Sequence, residues 1–502
     1  MERILAIDPG TGFGKVAFLR SEEGEAEWLL PPEMPEGMSS TVYVSPDGDI
    51  SMKERSGYCA VRNVKAYLTE RTIQCKAGGI TFNVNPVTIY STYVKELVRH
   101  ANETLKKRNE EPIYKIAITY PATFVVNDDA ESESNILKLI KNGVESQSID
   151  GNSLEVVAML SEPAAASVDA LNSKRNDASL NGQYTVIVYD VGHGTFDAAL
   201  VTSSGDGKPF ELIDQCGDTQ IGGRIFDKYI YDEMISMLGD YSLSPADKDK
   251  LKNLYSTKLK HKLSENELVV EEGFMPEGAD GYASITLTRA RFEALIENDI
   301  RKTLICINKL LERAKREHIN VDEIIVTGGS GRIPAIKRML KEVFSEYNIP
   351  VREYKMTDAV VSGAARYAYG CSKVRAVMEN SSNETIVEVI EPNPVLTQYA
   401  EYSYGIALGD GVRMLIKSGE KLPCKSDDIK VRGGYFSVDV RRAKDKDNRA
   451  DNIPERDSKD VMRFPFDVEG DRVELKIGVD ENRCITVYCR DSRGNITQKT
   501  SF

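Results

Sequence analysis

The chain has 502 residues, 41% hydrophobic and 28% charged, with a formal net charge of −13. That length holds more than one folded domain, and the balance is that of a globular protein rather than a disordered one. The acidic surplus argues against nucleic acid as the main partner, because phosphate backbones need basic surface, and no uncharged apolar run suggests a membrane span.

Met1-Glu2-Arg3-Ile4-Leu5 enters a strand pattern at once and leaves no room for a signal peptide. The first strand runs into Ala6-Ile7-Asp8-Pro9-Gly10-Thr11-Gly12, and an apolar run follows at Val16-Ala17-Phe18-Leu19. This reads as a hairpin, not the strand-to-helix turn of a P-loop or a dinucleotide fingerprint. Glycines let backbone N–H groups approach phosphate oxygens, and a strand-end Asp can hold Mg²⁺ through its waters. Apolar positions Val94, Leu97, Val98, Ala101 and Leu105 make a helical stripe over 94–107. The hairpin pattern then returns at Val188-Tyr189-Asp190-Val191-Gly192-His193-Gly194-Thr195-Phe196-Asp197, again between two apolar runs. One such loop is weak evidence. Two facing each other would grip a triphosphate from two sides. A second helical pattern covers 291–316. Glu323 to Pro334 then reads as a strand, a Gly328-Gly329 turn and a helix start, and Arg332 can lay its planar guanidinium on adenine.

This alternation to about Gly370 predicts an α/β domain of two similar halves. From Ser372 to about Gln398 the pattern dissolves, with breakers at Pro392-Asn393-Pro394. Beyond Tyr399 the chain turns to strands. Tyr435 to Val440 is one, and 472–480 with 484–490 makes a hairpin. The charged stretch 441–460 reads as a solvated loop. The 8 cysteines include no C-x-x-C pair and histidines number only 4, which argues against structural zinc. Reduced thiols in a cytoplasmic protein are the expectation. Cys484 and Cys489 lie at odd separation in a strand and should face opposite sides.

These motifs together resemble the Hsp70 chaperones, a branch of the actin–hexokinase ATPase superfamily. The resemblance extends through Leu160-Ser161-Glu162-Pro163-Ala164, Gly217-Asp218-Thr219-Gln220-Ile221-Gly222-Gly223-Arg224-Ile225-Phe226-Asp227 and Leu287-Thr288-Arg289-Ala290-Arg291-Phe292, and it ends near Asp358. It implies an actin-like ATPase domain over 1–371 with a nucleotide cleft between its halves, a linker over 372–398, and a β-sandwich substrate-binding-like domain over 399–502. Ser403-Tyr404-Gly405-Ile406 and Lys421-Leu422-Pro423 carry this last, weaker part. No helical pattern follows Phe502, so the helical lid of the family is expected to be missing.

By resemblance, ATP or ADP binds with Mg²⁺, with K⁺ as an additional ion, and hydrolysis to ADP and phosphate is slow. Asp8 and Asp190 match the Mg²⁺-shell carboxylates. Gly10, Thr11, Gly12, Phe13, Gly192, His193, Gly194 and Thr195 fall in the phosphate loops. Lys65 matches the lysine that holds the attacking water, and Glu162 the carboxylate that ties it to the cleft. Asp197 is the candidate general base, since a carboxylate near the terminal phosphate can orient water. Gly222, Gly223, Gly328, Gly329, Ser330, Arg332 and Asp358 match nucleotide contacts. On the helix 251–264, Lys260 and Ser264 match ribose and base contacts. His261 stands where the family has an arginine on the adenine, and an ordinary surface histidine is an equally good reading.

The chain also departs from the family pattern. His193 replaces a glycine, and its side chain either adds a phosphate donor or obstructs the loop. Gly12 replaces a threonine. Glu131 takes the place of a basic residue beyond Pro121 on the family's relay surface. The linker's leucine run shrinks to Val395-Leu396 or Val387-Glu388-Val389-Ile390, which implies weak coupling between domains. Ile406, Val412, Phe436 and Val438 fall on groove-lining positions, and Phe436 would crowd the central pocket. Simple sandwich core is an equal reading of these four. The resulting expectation is an ATP-hydrolysing chaperone that binds unfolded or extended polypeptide under nucleotide control, with a J-domain co-chaperone and a nucleotide exchange factor as partners. The alternative is a non-catalytic ATP-binding co-chaperone or adaptor with one dedicated protein partner. A sugar or acetate kinase of the same superfamily is disfavoured by the C-terminal strands.

Overall fold

The structure is a computed structural model. It describes residues 2–500 except 127–129, 175–182, 206–207, 240, 266–267, 278–280, 381–394, 401, 410, 446, 469–471 and 481–483. Among the described residues no helix is long and apolar enough to cross a membrane.

Two sheets built alike organise the first part of the chain. In the first, Leu5–Pro9 pairs antiparallel with Phe13–Phe18 and parallel with Lys115–Tyr120, which in turn lies parallel to Glu155–Ser161. In the second, Tyr184–Val191 pairs antiparallel with Phe196–Ser203 and parallel with Glu323–Thr327. Each sheet thus has a hairpin whose first strand is also the partner of a later, parallel strand. Phe210–Asp218 extends the second sheet. The central strands are mostly apolar, with polar residues towards their ends, and are buried on both faces, as expected where helices cover both sides of a sheet.

Helices close the outer faces. Pro86–Lys107 buries Tyr93, Val94, Leu97, Val98 and Ala101 against the first sheet. It starts where the Asn85 side chain accepts hydrogen bonds from the Val87 and Thr88 backbone N–H groups, at 2.8 and 3.3 Å, with Pro86 in the first turn. Between the lobes, Glu162–Asn172 packs directly on Ala359–Asn380. Alanines from both helices and both sheets share one core there. Gly363 is the point of closest approach, for a Cβ on it would overlap the Ala165 carbonyl.

The last part of the chain forms two antiparallel sheets. One has the order Asn452–Pro454, Gly411–Ile416, Tyr404–Leu408, Gly434–Ala443, Ser458–Val468; the other holds Cys424–Lys425, Ile429–Val431, Val473–Val479, Ile485–Arg490 and Ile496–Thr500. Apolar residues of both sheets meet in a single core.

Several sequence expectations need correction. The helix beginning at Ala359 runs to Asn380, through the start of the expected linker. Leu396–Tyr399 is a strand, lying parallel to Phe210–Asp218 and paired on its other side with Lys421–Leu422, with Leu396 fully buried. A two-residue apolar remnant therefore suffices to seat this segment, because backbone pairing needs no leucine run. Val387 to Ile390 and the Glu131 side chain lie outside the described residues. The charged stretch is not a continuous loop. Its ends enter Gly434–Ala443 and Ser458–Val468, and Asp447 between them binds Arg313 at 3.3 Å and Arg316 at 2.6 Å. The expected helix 251–264 begins earlier, at Pro245, and contains a wider turn over Leu251–Tyr255. The thiols are not all reduced. Cys216 and Cys306 form a disulfide, with Cα atoms 5.9 Å apart and a sequence separation of 90. Strand Phe210–Asp218 lying on helix Arg289–Arg316 brings them together, which spacing could not show.

The crossing at Gly363 is testable. Gly363→Ala should destabilise the protein by roughly 1–3 kcal/mol in urea unfolding, through overpacking. Gly281→Ala, where a Cβ meets open space, should stay within about 0.5 kcal/mol. Equal stability of the two variants would contradict the helix crossing.

Candidate functional site

The two hairpin turns face each other across the gap between the lobes. A Cβ on Gly194 would overlap the Thr11 hydroxyl, so the second turn lies directly against the first. Gly328 closes the floor. Its φ of +83° suits glycine, and a Cβ there would run into the Asp190 carboxylate. Ser330 donates to the Gly192 carbonyl at 3.0 Å, which ties the third motif to the second hairpin.

Four carboxylates gather at this floor. Asp8 accepts a hydrogen bond from the Thr119 hydroxyl at 2.9 Å. Asp197 is the cross-strand partner of Asp190 and accepts from the Thr195 hydroxyl at 2.5 Å and the Thr123 N–H at 3.1 Å. Glu162, the first residue of its helix, accepts from Lys65, and that lysine is only 4% exposed. Lys65 stands on a short 3₁₀ turn, Val64–Tyr67, launched by Asn63 at a left-handed φ of 58°. Burial pushes the Asp190 carboxyl well up, and the charges of Glu162, Asp197 and Asp8 push it further. Burial and then Glu162 push Asp197 up to about 7. Burial also raises Glu162, against the pull of Lys65. The cation common to all three is Lys65.

This donor set suits a hard divalent cation bound through water and an anionic ligand. Among the described residues no three His, Cys, Asp or Glu side chains are close enough to hold a metal by themselves. Mg²⁺ keeps several waters and needs only one or two carboxylates plus phosphate oxygens. Asp8 and Asp190, buried at facing strand ends, could hold such waters.

The remaining candidates divide. Lys260 is buried, pairs with Asp227 at 2.8 Å and donates to the Gly223 carbonyl at 3.1 Å. Gly222 and Gly223 open the helix Gly223–Met237 beside it. Ser264 spends its hydroxyl on the Lys260 carbonyl, at 2.7 Å, within its own helix. His261, Gly329 and Arg332 are exposed, and Phe13 is 43% exposed at the mouth. Asp358 lies 3.6 Å from the buried Lys15 ammonium. Gly10, Thr11 and Gly12 form the first turn, only partly buried. The four groove positions do not line one open channel. Ile406 and Val438 belong to the main core of the C-terminal sheets, Val412 to a separate small cluster with Ile453, and Phe436 stacks on Phe466 at 5.7 Å.

Sequence reading missed Thr119, Thr123, Asp227 and Lys15. Lys15 was legible in principle, since hairpin register sets it opposite Asp8. Asp227 sat unremarked inside a quoted motif. Thr119 reaches the site from the strand Lys115–Tyr120 and Thr123 from the start of the short helix Thr123–Val126, both distant in sequence from the hairpins, and nothing local marks them.

A family profile described as Hsp70 protein matches residues 49–379. The chain belongs to the Hsp70 family. Its two-lobed α/β part is accordingly an actin-like ATPase domain. The matched span holds Lys65, Glu162, the second hairpin, Lys260 and Arg332, but starts after the first hairpin. A heat shock 70 kDa protein of Ajellomyces capsulatus is 28% identical over 364 residues, which is 71% of this chain and 46% of that relative. The matched part thus spans about half of the relative's length.

The raised carboxyl of Asp197 has a consequence for stability. Its usual value is 3.8 and its folded value about 7. A buried acid with a raised value favours the fold while protonated, and that contribution is lost as pH rises from about 4 to about 7. Asp197→Asn should therefore stabilise the nucleotide-free protein near pH 7.5, by on the order of 1–3 kcal/mol. The gain should shrink as pH falls to 4.5. Denaturant melts at both pH values check it, and a pH-independent difference would contradict the burial of this charge.

Proposed function

We propose that this Hsp70-family chain is a slow ATPase that uses Mg²⁺. The carrying observation is the cluster of Asp8, Glu162, Asp190 and Asp197 around Lys65, between two turns close enough for Thr11 to touch Gly194. A bound Mg²⁺ would neutralise charge on the phosphates. The two turns present backbone N–H groups to phosphate oxygens. Lys65, held by Glu162, directs its ammonium into the cleft to orient water. Asp197 takes the water's proton, and its elevated carboxyl value suits a base working near neutral pH. Lys260 and Ser330 lie beside the second turn, where the phosphates of a nucleotide would give way to its ribose, with Arg332 at the rim.

The β domain, over roughly 399–502, is read as a polypeptide-binding module, with a J-domain co-chaperone and an exchange factor as partner classes. The second reading is a nucleotide-binding adaptor with a dedicated partner. It is favoured by the Phe436–Phe466 stack and by the burial of Ile406 and Val438, which leave those side chains no free groove face.

Single-turnover hydrolysis decides between them. Lys65→Ala should retain nucleotide and slow hydrolysis about 10²-fold or more. Asp8→Asn and Asp190→Asn should each weaken Mg·ATP binding or slow turnover. No hydrolysis by the natural chain, with nucleotide bound, would favour the adaptor. Unchanged binding and rate in both aspartate variants would contradict the cleft assignment.

A further inference from the structure

His193 and Gly12 depart from the family pattern in opposite directions, one gaining a side chain and one losing it. The structure makes them neighbours. A Cβ on Gly12 would lie 3.5 Å from Cγ, 3.6 Å from Cβ and 3.6 Å from Cδ2 of His193. The imidazole of the second hairpin therefore crosses to the first and occupies the space above Gly12. Its other edge points to the second lobe. The position a Cβ would take on Gly223 is 3.2 Å from His193 Nδ1, 3.1 Å from Lys260 Nζ and 2.7 Å from Ser330 Oγ. Three polar side chains thus converge over a bare glycine, at the start of a 15-residue helix.

The surroundings call for an anion. The Arg224 N–H donates to the His193 carbonyl at 2.7 Å, so the loop itself caps this helix. The ring nitrogens make no hydrogen bond to any described residue. Burial and then the Lys260 charge push the imidazole down to about 4, with Arg224 and His261 adding to the fall and Asp227 opposing it. At neutral pH the ring is uncharged, with one N–H to donate and one nitrogen to accept. A phosphate oxygen would satisfy that donor, beside a Lys260 ammonium that Asp227 already pairs at 2.8 Å. The ring does not plug the cleft floor, because the missing side chain at Gly12 gives it a place to one side.

We infer that His193 is a phosphate-binding residue of this chain, and that Gly12 is the space that lets it bridge the two lobes. The pair would replace, by an exchange across the cleft, the glycine and threonine of the usual pattern. The ligand class is the polyphosphate of a nucleotide, and the inference rests on the function proposed above.

The test is a double-mutant cycle on the full chain: natural protein, His193→Gly, Gly12→Thr, and both together. Calorimetry with Mg·ADP and with magnesium and a non-hydrolysable ATP analogue reads affinity. Thermal melts without nucleotide report folding. His193→Gly should weaken binding about 10-fold or more, the loss of a hydrogen bond to a charged group. Gly12→Thr should weaken it by a similar factor, because its side chain meets the ring. The double variant should return to within about 3-fold of the natural protein, a strongly non-additive result. If Gly12→Thr does not fold, Gly12→Ala replaces it and should show the same sign. Additive losses, or equal or tighter binding by His193→Gly, would overturn the inference and leave the ATPase reading intact. A natural protein that binds neither nucleotide would overturn both.

Discussion

Asp8, Glu162, Asp190 and Asp197 are all buried or nearly so at one cleft floor, and Lys65 is the cation that acts on the last three. Unpaired carboxylates are expensive to bury, and like charges nearby raise the expense. A fold gains nothing in stability from such an arrangement. It makes physical sense as a place prepared for positive charge that arrives with a ligand. The glycines, the short hydroxyl contacts and the Lys65–Glu162 pair all serve to hold those carboxylates in position until it does.

The architecture explains how two distant segments reach that floor together. Each lobe supplies one hairpin, and each hairpin ends a strand fully buried in its own sheet. The lobes are joined behind the cleft by two crossing helices whose contact is set by Gly363 against Ala165. The contact between the turns, at Thr11 and Gly194, is the front of the same arrangement. A change in the spacing of the turns must therefore be accommodated at the helix crossing. Beyond Phe210–Asp218 the second sheet continues through Leu396–Tyr399 to Lys421–Leu422, and Arg313 and Arg316 reach Asp447. The C-terminal sheets are thus fastened to the lobe that carries Asp190 and Asp197.

Much of this was legible because it rests on local chemistry. An Asp at the end of an apolar run, followed by glycines and a threonine, is weak evidence of a phosphate turn alone, and its repetition after Tyr189 made it strong and pointed to a second lobe. Long-range pairing was not legible. Cys216 and Cys306 meet only because a strand edge lies on a helix. Asp447 looked like solvated loop because nothing near it in sequence names its arginine partners. The linker was read from its missing leucines, whereas backbone pairing holds it. His193 and Gly12 were each visible as departures, but their compensation lies in a distance across the cleft that no spacing along the chain contains.

The most direct test of the account is the proton balance of ligand binding. Calorimetric titration with Mg·ADP at pH 7, in two buffers of different ionisation enthalpy, measures the protons released or taken up. Asp197 is pushed up to about 7 and Asp190 is raised well above its ordinary value. Arrival of a divalent cation beside them should lower both and release protons, a substantial fraction of one or more per nucleotide bound. Binding without proton release, or with net uptake, would contradict the claim that the cleft is a set of buried carboxylates awaiting a cation.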